Sequence, residues 1–307
     1  MIPGGSGQVG HVLERALRAA GHETVVLSRQ PKTGETLWDG RTLGLWTDVL
    51  DGADAVINLA GRSVNCRYTP ENRKAILDSR VDSVRVVGEA IATARKPPRV
   101  WLQASTATIY ADRYDAPNDE ATGTVAAAGP DTWRFSLDVA LAWERALADA
   151  PTPNTRKVAL RSAMTMSPDR GGVFDVLLGL VRHGLGGTQG SGRQFVSWIH
   201  EADFTAAVLF LLDGEMEGAV NLAAPNPLPN RQFLRDLRRA WSITFGLPAP
   251  KPLLEIGTWA MRTESELVLK SRRVVPRRLE EAGFRFAFPT WPEAAEDLVA
   301  RWRTARA

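Results

Sequence analysis

Several features are scarce in this chain of 307 residues, and each scarcity excludes a class of protein. Cys66 is the only cysteine, so an internal disulfide cannot form and we expect a reducing compartment, the cytoplasm. No apolar run reaches the roughly 18 residues that suggest a membrane span, and the first residues lack the pattern of a signal peptide. The formal net charge is only +3 and like charges are dispersed, so we expect no nucleic-acid partner.

Metal chemistry is also not indicated, because no group of His, Cys, Asp and Glu residues has the spacing of a metal site. The composition is otherwise that of an ordinary soluble domain, with 44% hydrophobic and 24% charged residues. The length is sufficient for a core domain and a second, smaller lobe.

Short β-branched runs alternate with helical patterns through the first half of the chain. Strands are predicted over residues 24–27, 55–59, 100–103 and 158–161. They are nearly continuous apolar runs, which is typical of parallel strands covered on both faces. Helices are predicted over residues 12–20, 81–94 and 137–148, where apolar residues recur with helical spacing. This alternation predicts an α/β fold with a doubly wound parallel sheet.

The pattern changes after residue 161, where proline and glycine become frequent and strands become rare. We therefore predict a core domain of residues 1–163 that also includes residues 198–222. A smaller, mainly helical substrate-binding lobe comprises residues 164–197 and 223–307. A helix within 199–212 and a strand over 219–222 belong to the predicted core domain.

The most specific local feature is a glycine-rich loop that leads directly into a helix. Its residues are Gly4, Gly5, Ser6, Gly7, Gln8, Val9 and Gly10. Glycines at this spacing allow a tight turn, close approach of a diphosphate and tight packing of helix on strand. The diphosphate then lies at the helix N-terminus, where free N–H groups attract anions. Only three residues precede the loop, so either the first strand is short or the natural chain begins earlier.

The residues after the second predicted strand distinguish two dinucleotides. An acidic residue there would bind the ribose hydroxyls of NAD, but this chain has Ser28 and Arg29, with Lys32 nearby. A guanidinium pairs well with a 2′-phosphate, so NADP(H) is the predicted cofactor of a Rossmann-type domain. Residues at the end of another strand should line the adenosine side of the crevice, and these are Asn58, Leu59, Ala60 and Gly61.

With these motifs in place, the chain resembles the extended short-chain dehydrogenases/reductases. It is most similar to their "epimerase family protein" group, which includes SulA-like bacterial members linked to cell division. The stretches that carry the resemblance are residues 4–10, 56–61, 160–162, 190–194, 198–200 and 275–284. The resemblance covers nearly the whole chain. It implies a Rossmann fold and a nicotinamide cofactor, but it does not determine a reaction.

The resemblance also identifies candidate catalytic residues. Residues 105–110 are similar to the family's Ser-Ala-Thr-Val-Tyr stretch, which places Thr106 at the position of the catalytic hydroxyl, with Ser105 beside it. The family's second element, Tyr-x-x-x-Lys, is absent, because none of the three tyrosines has a lysine four residues later. Ser136 and Ala140 stand at those two positions. Tyr110 and Tyr114 follow the same strand and are the candidates for an acid, although Tyr110 also fits a structural role. Ser136 could donate a hydrogen bond, but an unassisted hydroxyl is a poor acid, and this residue also fits a helix cap before residue 137.

A departure from the family pattern affects the substrate. Val196 stands where the resembled epimerases have an arginine for a sugar diphosphate, so a nucleotide sugar is not favoured. Arg161 ends a strand that faces the crevice. It suits either a contact with the cofactor or substrate, or a structural ion pair.

Two functions remain open from the sequence. The first is an NADP(H)-dependent oxidoreductase or epimerase-like enzyme that acts on a small molecule between the lobes. The second is a non-catalytic NADP(H)-binding protein, regulatory or related to cell division. A monomer and a homodimer fit equally well, because the helices that relatives pair carry only one apolar face.

Overall fold

The computed structural model describes residues 1–126, 129–250, 252, 254 and 266–306. Eleven strands lie in these residues: β1 (Ile2–Pro3), β2 (Val26–Ser28), β3 (Thr36–Leu37), β4 (Ala55–Asn58), β5 (Val100–Thr106), β6 (Arg156–Ser162), β7 (Met164–Met166), β8 (Phe195–Val196), β9 (Trp198–His200), β10 (Gly218–Leu222) and β11 (Leu228–Pro229). The α-helices in the same residues are α1 (Gln8–Ala19), α2 (Thr47–Leu50), α3 (Pro70–Thr93), α4 (Asp131–Asp149), α5 (Val173–Arg182), α6 (Glu201–Asp213), α7 (Asn230–Trp241), α8 (Glu266–Leu269), α9 (Arg277–Glu281) and α10 (Trp291–Thr304).

The main sheet is parallel and has two sections, which meet where β1 lies beside β4. One section has the order β1-β2-β3 and the other has the order β10-β6-β5-β4. The amides of Ile57 on β4 and of Leu59 just after it donate to the carbonyls of Met1 and Pro3 at 2.9 and 2.8 Å. These bonds join the two sections into one sheet. The first strand has two residues.

Helices cover both faces of the sheet, which confirms the predicted doubly wound arrangement. Leu13 of α1 and Phe204 of α6 pack on one face, in a cluster with Val158 and Val220. On the other face, α3 and α4 pack with Trp101 of β5. Because the apolar strand residues are buried from both sides, their sequence runs are continuous rather than alternating.

Two helices begin earlier than their apolar patterns predict. The helix predicted over 81–94 begins at Pro70, where Thr69 caps it by accepting a hydrogen bond from the amide of Asn72. The helix predicted over 137–148 begins at Asp131, directly after Pro130. In both cases the added turns mix polar residues with a few apolar ones, such as Ile76 in α3 and Trp133 in α4, so the apolar periodicity marks only part of each helix.

A second apolar cluster lies among α5, α7 and α10, with Trp291 and Phe233 stacked at 4.0 Å between ring centroids. The strand β9 pairs with β7 rather than with the main sheet, while β10 completes the main sheet beside β6. Helix α6 follows β9 directly and returns the chain to the core cluster. A C-terminal helical region is therefore present, as predicted.

His200 lies where β9 meets α6, and it contacts the C-terminal region. Its ring is fully buried and stacks on Phe288 at 3.9 Å. Its Nε2 lies 3.0 Å from the Asp297 carboxylate, and its Nδ1 accepts a hydrogen bond from the amide of Ala202. These contacts make His200 a structural link between the two clusters.

Candidate active site

The glycine-rich loop lies at the carboxyl end of β1 and is closed against two neighbouring strands. Gly4 donates its N–H to Leu27 of β2 at 2.9 Å. It has a φ of +74°, and a Cβ at this position would lie 2.6 Å from the Cα of Ala60, beyond β4. A side chain here would therefore be strained and would push the loop away from the strand.

Gly10 and Gly7 are glycines for different reasons. A Cβ on Gly10 would collide with the carbonyl oxygen of Gly5, so glycine here permits α1 to pack against the loop. A Cβ on Gly7 would meet protein only at 3.7 Å, so the protein itself leaves this position open. Gly7 caps α1 without a side-chain acceptor, and the first turn contains no acidic residue. The exposed first-turn N–H groups thus suit a phosphate.

The end of β2 supplies a second part of the site. The Ser28 hydroxyl is buried and donates to Ser6 of the glycine loop at 3.2 Å. The next residue, Arg29, is exposed and forms neither a hydrogen bond nor an ion pair with any part of the chain that the structure describes. A free guanidinium at this place can pair with an anion from outside the protein.

Asn58 organises the turn after β4. Its side chain is fully buried, donates to Gln103 at 2.9 Å and accepts from the amide of Ala60 at 3.0 Å. These bonds hold residues 59–61 beside the glycine loop. Gly61 faces the guanidinium of Arg80, whose carbon would lie 3.2 Å from a Cβ at that position. Asn58 thus shapes the crevice wall from inside the sheet.

Gln8 turns toward the chain segment before α5. Its Nε2 atom is buried and has no hydrogen-bond partner among the described residues. A Cβ on Gly172 would collide with the same amide group. The loop before α5 therefore closes against the first turn of α1, and together with Val9 at the base of that turn it borders the phosphate side of the crevice.

The predicted catalytic residues Thr106, Ser105 and Tyr110 all lie near the carboxyl end of β5, but their contacts differ. Thr106 is half-buried, and its hydroxyl accepts from the amide of Thr108 at 3.1 Å. Ser105 is buried and donates to Glu144 at 2.6 Å. Their catalytic assignment stays a prediction. Of these residues, Thr106 has the exposure that contact with a substrate requires.

Tyr110 belongs to a buried network with Arg161. Its ring is 2% exposed, and its hydroxyl donates to Asn221 at 3.0 Å and accepts from Arg161 at 2.8 Å. Burial raises the pKa of Tyr110, although the Arg161 charge opposes this effect. A raised pKa and two occupied hydrogen-bonding positions make this hydroxyl poorly suited to proton transfer.

Arg161 also binds Glu144 through two hydrogen bonds of 2.8 and 2.7 Å. Burial alone would lower the pKa of Arg161, but the hydrogen bonds and charge of Glu144 outweigh it and raise that pKa. Of the two roles that the sequence left open for Arg161, its contacts support the structural ion pair.

A second buried cluster lies behind Ser136, and sequence reasoning missed it. Ser136 donates to Glu266 at 2.6 Å, and Lys270 lies 4.0 Å from the other oxygen of that carboxylate. Both charged side chains are 1% exposed. In the sequence they are an ordinary Glu/Lys pair four residues apart, which usually lies on a solvated helix face. No local signal distinguishes the buried pair from the exposed one.

No helix among the described residues has both the length and the apolar character that a bilayer span requires. No three His, Cys, Asp or Glu side chains within the described ranges are arranged to hold a metal ion. A groove of about 880 Å³ lies between α4 and the amino ends of β6 and β10, lined in part by Lys157 and Arg278. It lies at the opposite end of these strands from the glycine loop.

Two family models match the chain. Residues 1–223 match the NAD dependent epimerase/dehydratase family. Residues 249–298 match a model described as a domain of unknown function, DUF1731. The second match contains Glu266 and Lys270, so the buried cluster joins residues from both matched regions.

Curated relatives are similar over almost the whole chain. The epimerase family protein SDR39U1 of Bos taurus is 33% identical over 307 residues, which cover 98% of this chain and 99% of the relative. An epimerase family protein of Staphylococcus aureus, SA0724, is 29% identical, with 97% and 98% coverage.

Solved structures show the same overall fold. The crystal structure of human epimerase family protein SDR39U1 (isoform 2) with NADPH has a TM-score of 0.84 and 28% identity, with 97% of this chain and 98% of that chain covered. The UDP-N-acetylglucosamine 4-epimerase of Bacillus cereus has a TM-score of 0.75 at 16% identity, with 98% and 95% coverage, which indicates a shared fold alone.

Proposed function

The chain belongs to the NAD dependent epimerase/dehydratase family, and from this premise we propose that it binds NADP(H) for oxidoreductase or epimerase-like chemistry on a small molecule. The observation that carries the proposal is the unpartnered guanidinium of Arg29 beside a glycine loop that the protein leaves open at Gly7. A carboxylate at that position would repel a 2′-phosphate, whereas a free guanidinium attracts it.

The residues present fit the dinucleotide. The open position at Gly7 and the first-turn N–H groups of α1 would receive the diphosphate, since no side chain among the described residues occupies that space. Arg29 would bind the 2′-phosphate, and residues 58–61 would line the adenosine side. The presence of NADPH in the crystal structure of a relative of this fold supports the same assignment.

The substrate would lie at the carboxyl edge of the sheet, between the core domain and the C-terminal lobe. Open α/β sheets bind ligands at this edge, and Thr106 presents a half-buried hydroxyl there. The bound dinucleotide supplies or accepts a hydride. The protein orients the reacting carbonyl or hydroxyl group, excludes water and transfers the proton. Thr106 would hydrogen-bond the reacting oxygen.

The test is a parallel titration of the full chain with NADPH and NADH, followed by quenching of tryptophan fluorescence. We expect NADPH to bind at least about tenfold more tightly than NADH, because one extra charged pair contributes on the order of 1.5 kcal/mol or more. Arg29→Ala should remove this preference. Arg145→Ala, which removes an exposed guanidinium on α4, should leave it unchanged.

Two results would overturn the proposal. Equal affinity for the two dinucleotides would refute the role of Arg29, and no binding of either would refute the cofactor site. Tight NADPH binding without oxidation by a broad panel of aldehydes, ketones and quinones would instead favour the non-catalytic function. The observation behind that second function is that Ser136 and Ala140 replace the Tyr and Lys of the resembled enzymes.

A further inference from the structure

The C-terminal region brings two ionisable side chains to the centre of the site. Glu266 and Lys270 are each 1% exposed, although an isolated buried charge costs several kcal/mol. Glu266 accepts the Ser136 hydroxyl at 2.6 Å with one carboxylate oxygen. The other oxygen lies 4.0 Å from the Lys270 ammonium and 3.9 Å from the Arg272 guanidinium. An ammonium, a carboxylate and a hydroxyl therefore lie next to one another in space, in that order.

This series of groups ends at the carboxyl end of β5, beside the candidate substrate position. Lys270 donates to the carbonyl of Thr108 at 2.8 Å. The amide of Thr108 in turn donates to Thr106, the residue with the half-buried hydroxyl. Ser136 is itself half-buried in the second turn of α4, so its hydroxyl is the member of the series nearest to the surface of the crevice.

The charged groups around Lys270 determine when it releases its proton. Burial lowers the pKa of Lys270 to about 8, and the Arg272 charge acts in the same direction. Glu266 on α8 and Asp112, which follows the 3₁₀ helix after β5, oppose that shift. The ammonium thus exchanges its proton near physiological pH, unlike an exposed lysine.

We propose that Ser136, Glu266 and Lys270 form the proton relay of this site, with Ser136 in contact with the substrate oxygen. The proposal rests on the proposed function. During reduction, the carbonyl carbon gains a hydride and its two electrons from the reduced dinucleotide, and the carbonyl oxygen takes the Ser136 proton. The Glu266 carboxylate takes a proton from the Lys270 ammonium and then returns a proton to the Ser136 oxygen. Lys270 is left neutral until it takes a proton from solvent, and oxidation reverses each transfer.

In this scheme Ser136 is the catalytic residue, while Glu266 and Lys270 act through it as positioning residues. A purely structural ion pair would stabilise the fold but would not sense the redox state of the ligand. The relay predicts such a response, because oxidised nicotinamide carries a positive charge that the reduced form lacks. An ammonium coupled to that centre disfavours the oxidised form until the ammonium loses its proton.

The first measurement compares NADP⁺ and NADPH binding to the full chain between pH 7 and 9.5. We expect the ratio of the two dissociation constants, NADP⁺ over NADPH, to fall by about threefold or more across this range, since two like charges in a protein interact appreciably at moderate distance. Both ligands carry the 2′-phosphate, so its titration cancels in the ratio. Lys270→Arg keeps the charge at all these pH values and should make the ratio constant.

Two further variants complete this measurement. Lys74→Arg is the matched control, because Lys74 pairs with Asp78 at the same four-residue spacing but is exposed, and it should behave as the natural chain does. Glu266→Gln removes the carboxylate that raises the Lys270 pKa, so the midpoint of the change should move to lower pH. A ratio that does not change with pH in the natural chain would overturn the relay.

The second measurement needs no dinucleotide. The chain has six lysines, so ¹³C NMR of protein labelled at the lysine ε-carbon gives a simple spectrum. One resonance should titrate near pH 8, be absent in Lys270→Arg and shift to lower pH in Glu266→Gln. Absence of this resonance would overturn the relay. If it titrates as expected but neither dinucleotide binds, the proposed function has failed. If both bind with a pH-independent ratio, only the relay has failed.

Discussion

Glu144 binds both Nε and Nη2 of Arg161, with oxygen–nitrogen distances of 2.8 and 2.7 Å, across the gap between α4 and β6. The two side chains are 19% and 12% exposed, so most of each charge is removed from water. Ser105 adds a hydrogen bond to Glu144, and Tyr110 accepts one from Arg161. This pair therefore anchors the helix that carries Ser136 to the carboxyl half of the sheet.

Loss of the Glu144 charge should destabilise the fold strongly. We expect Glu144→Gln to lower the free energy of unfolding by about 3 kcal/mol, because it leaves the largely buried Arg161 without its counter-charge. Urea unfolding at pH 7 measures this change. Glu89→Gln breaks an exposed pair with Arg85 and should cost less than about 1 kcal/mol. Equal effects of the two substitutions would contradict a structural role for the Glu144–Arg161 pair.

Tyr110 should prove structural rather than catalytic. Removing its hydroxyl in Tyr110→Phe leaves Arg161 and Asn221 each short of one partner, which should cost about 1–3 kcal/mol of stability. NADPH affinity should stay the same. Tyr114→Phe is the control, because Tyr114 is 43% exposed and its loss of a hydroxyl should change little. Thermal and urea unfolding together with fluorescence titration measure both effects, and unchanged stability in Tyr110→Phe would contradict this prediction.

Alanine substitutions at two helical glycines should have different effects, one on NADPH binding and the other on the stability of the fold. In Gly10→Ala the new methyl group would collide with the Gly5 backbone, so the loop must shift. NADPH binding should weaken by about tenfold or more, because the shift should remove at least one good hydrogen bond to a charged group. In Gly179→Ala the methyl group enters open space within α5, and helix propensity should raise stability by up to about 1 kcal/mol. Melting temperature and NADPH titration test both, and tight binding by Gly10→Ala would refute the loop geometry.

Stability should fall as the solution is acidified below neutrality. Burial lowers the pKa of His200, and the hydrogen bond to Asp297 offsets only part of that shift. The unfolded chain therefore binds a proton near the ordinary pKa of about 6.5, while the folded chain resists it, so stability is lost as pH falls from 6.5 toward the lower folded pKa. Urea unfolding between pH 7 and 5 should show a shallower slope in His200→Asn. His22→Asn, at an exposed position, should keep the slope of the natural chain.

Local sequence patterns were sufficient to predict the sheet and the phosphate loop. The buried strand at 100–103 is recognisable because parallel strands covered by helices are apolar throughout. The glycine loop is recognisable because the close approach at Gly4 and Gly10 excludes every larger side chain. Both signals depend on residues that are neighbours in the chain.

Local apolar patterns did not predict the first turns of α3 and α4. Several polar residues in these turns take part in capping and ion pairs, as Arg73 does with Asp131. Hydrophobic periodicity reports burial against the core, so it is silent where a helix extends past the sheet.

Only the tertiary structure decided which side chains of the site contact one another. The sequence by itself determined the glycine loop, the presence of Arg29 after the second strand and the absence of a Tyr-x-x-x-Lys motif. It did not reveal that Glu144 would bind Arg161, or that Glu266 would reach Ser136 from 130 positions away. Charged residues have no period that marks burial, and the chain pairs them only when packing of the helices brings distant segments together.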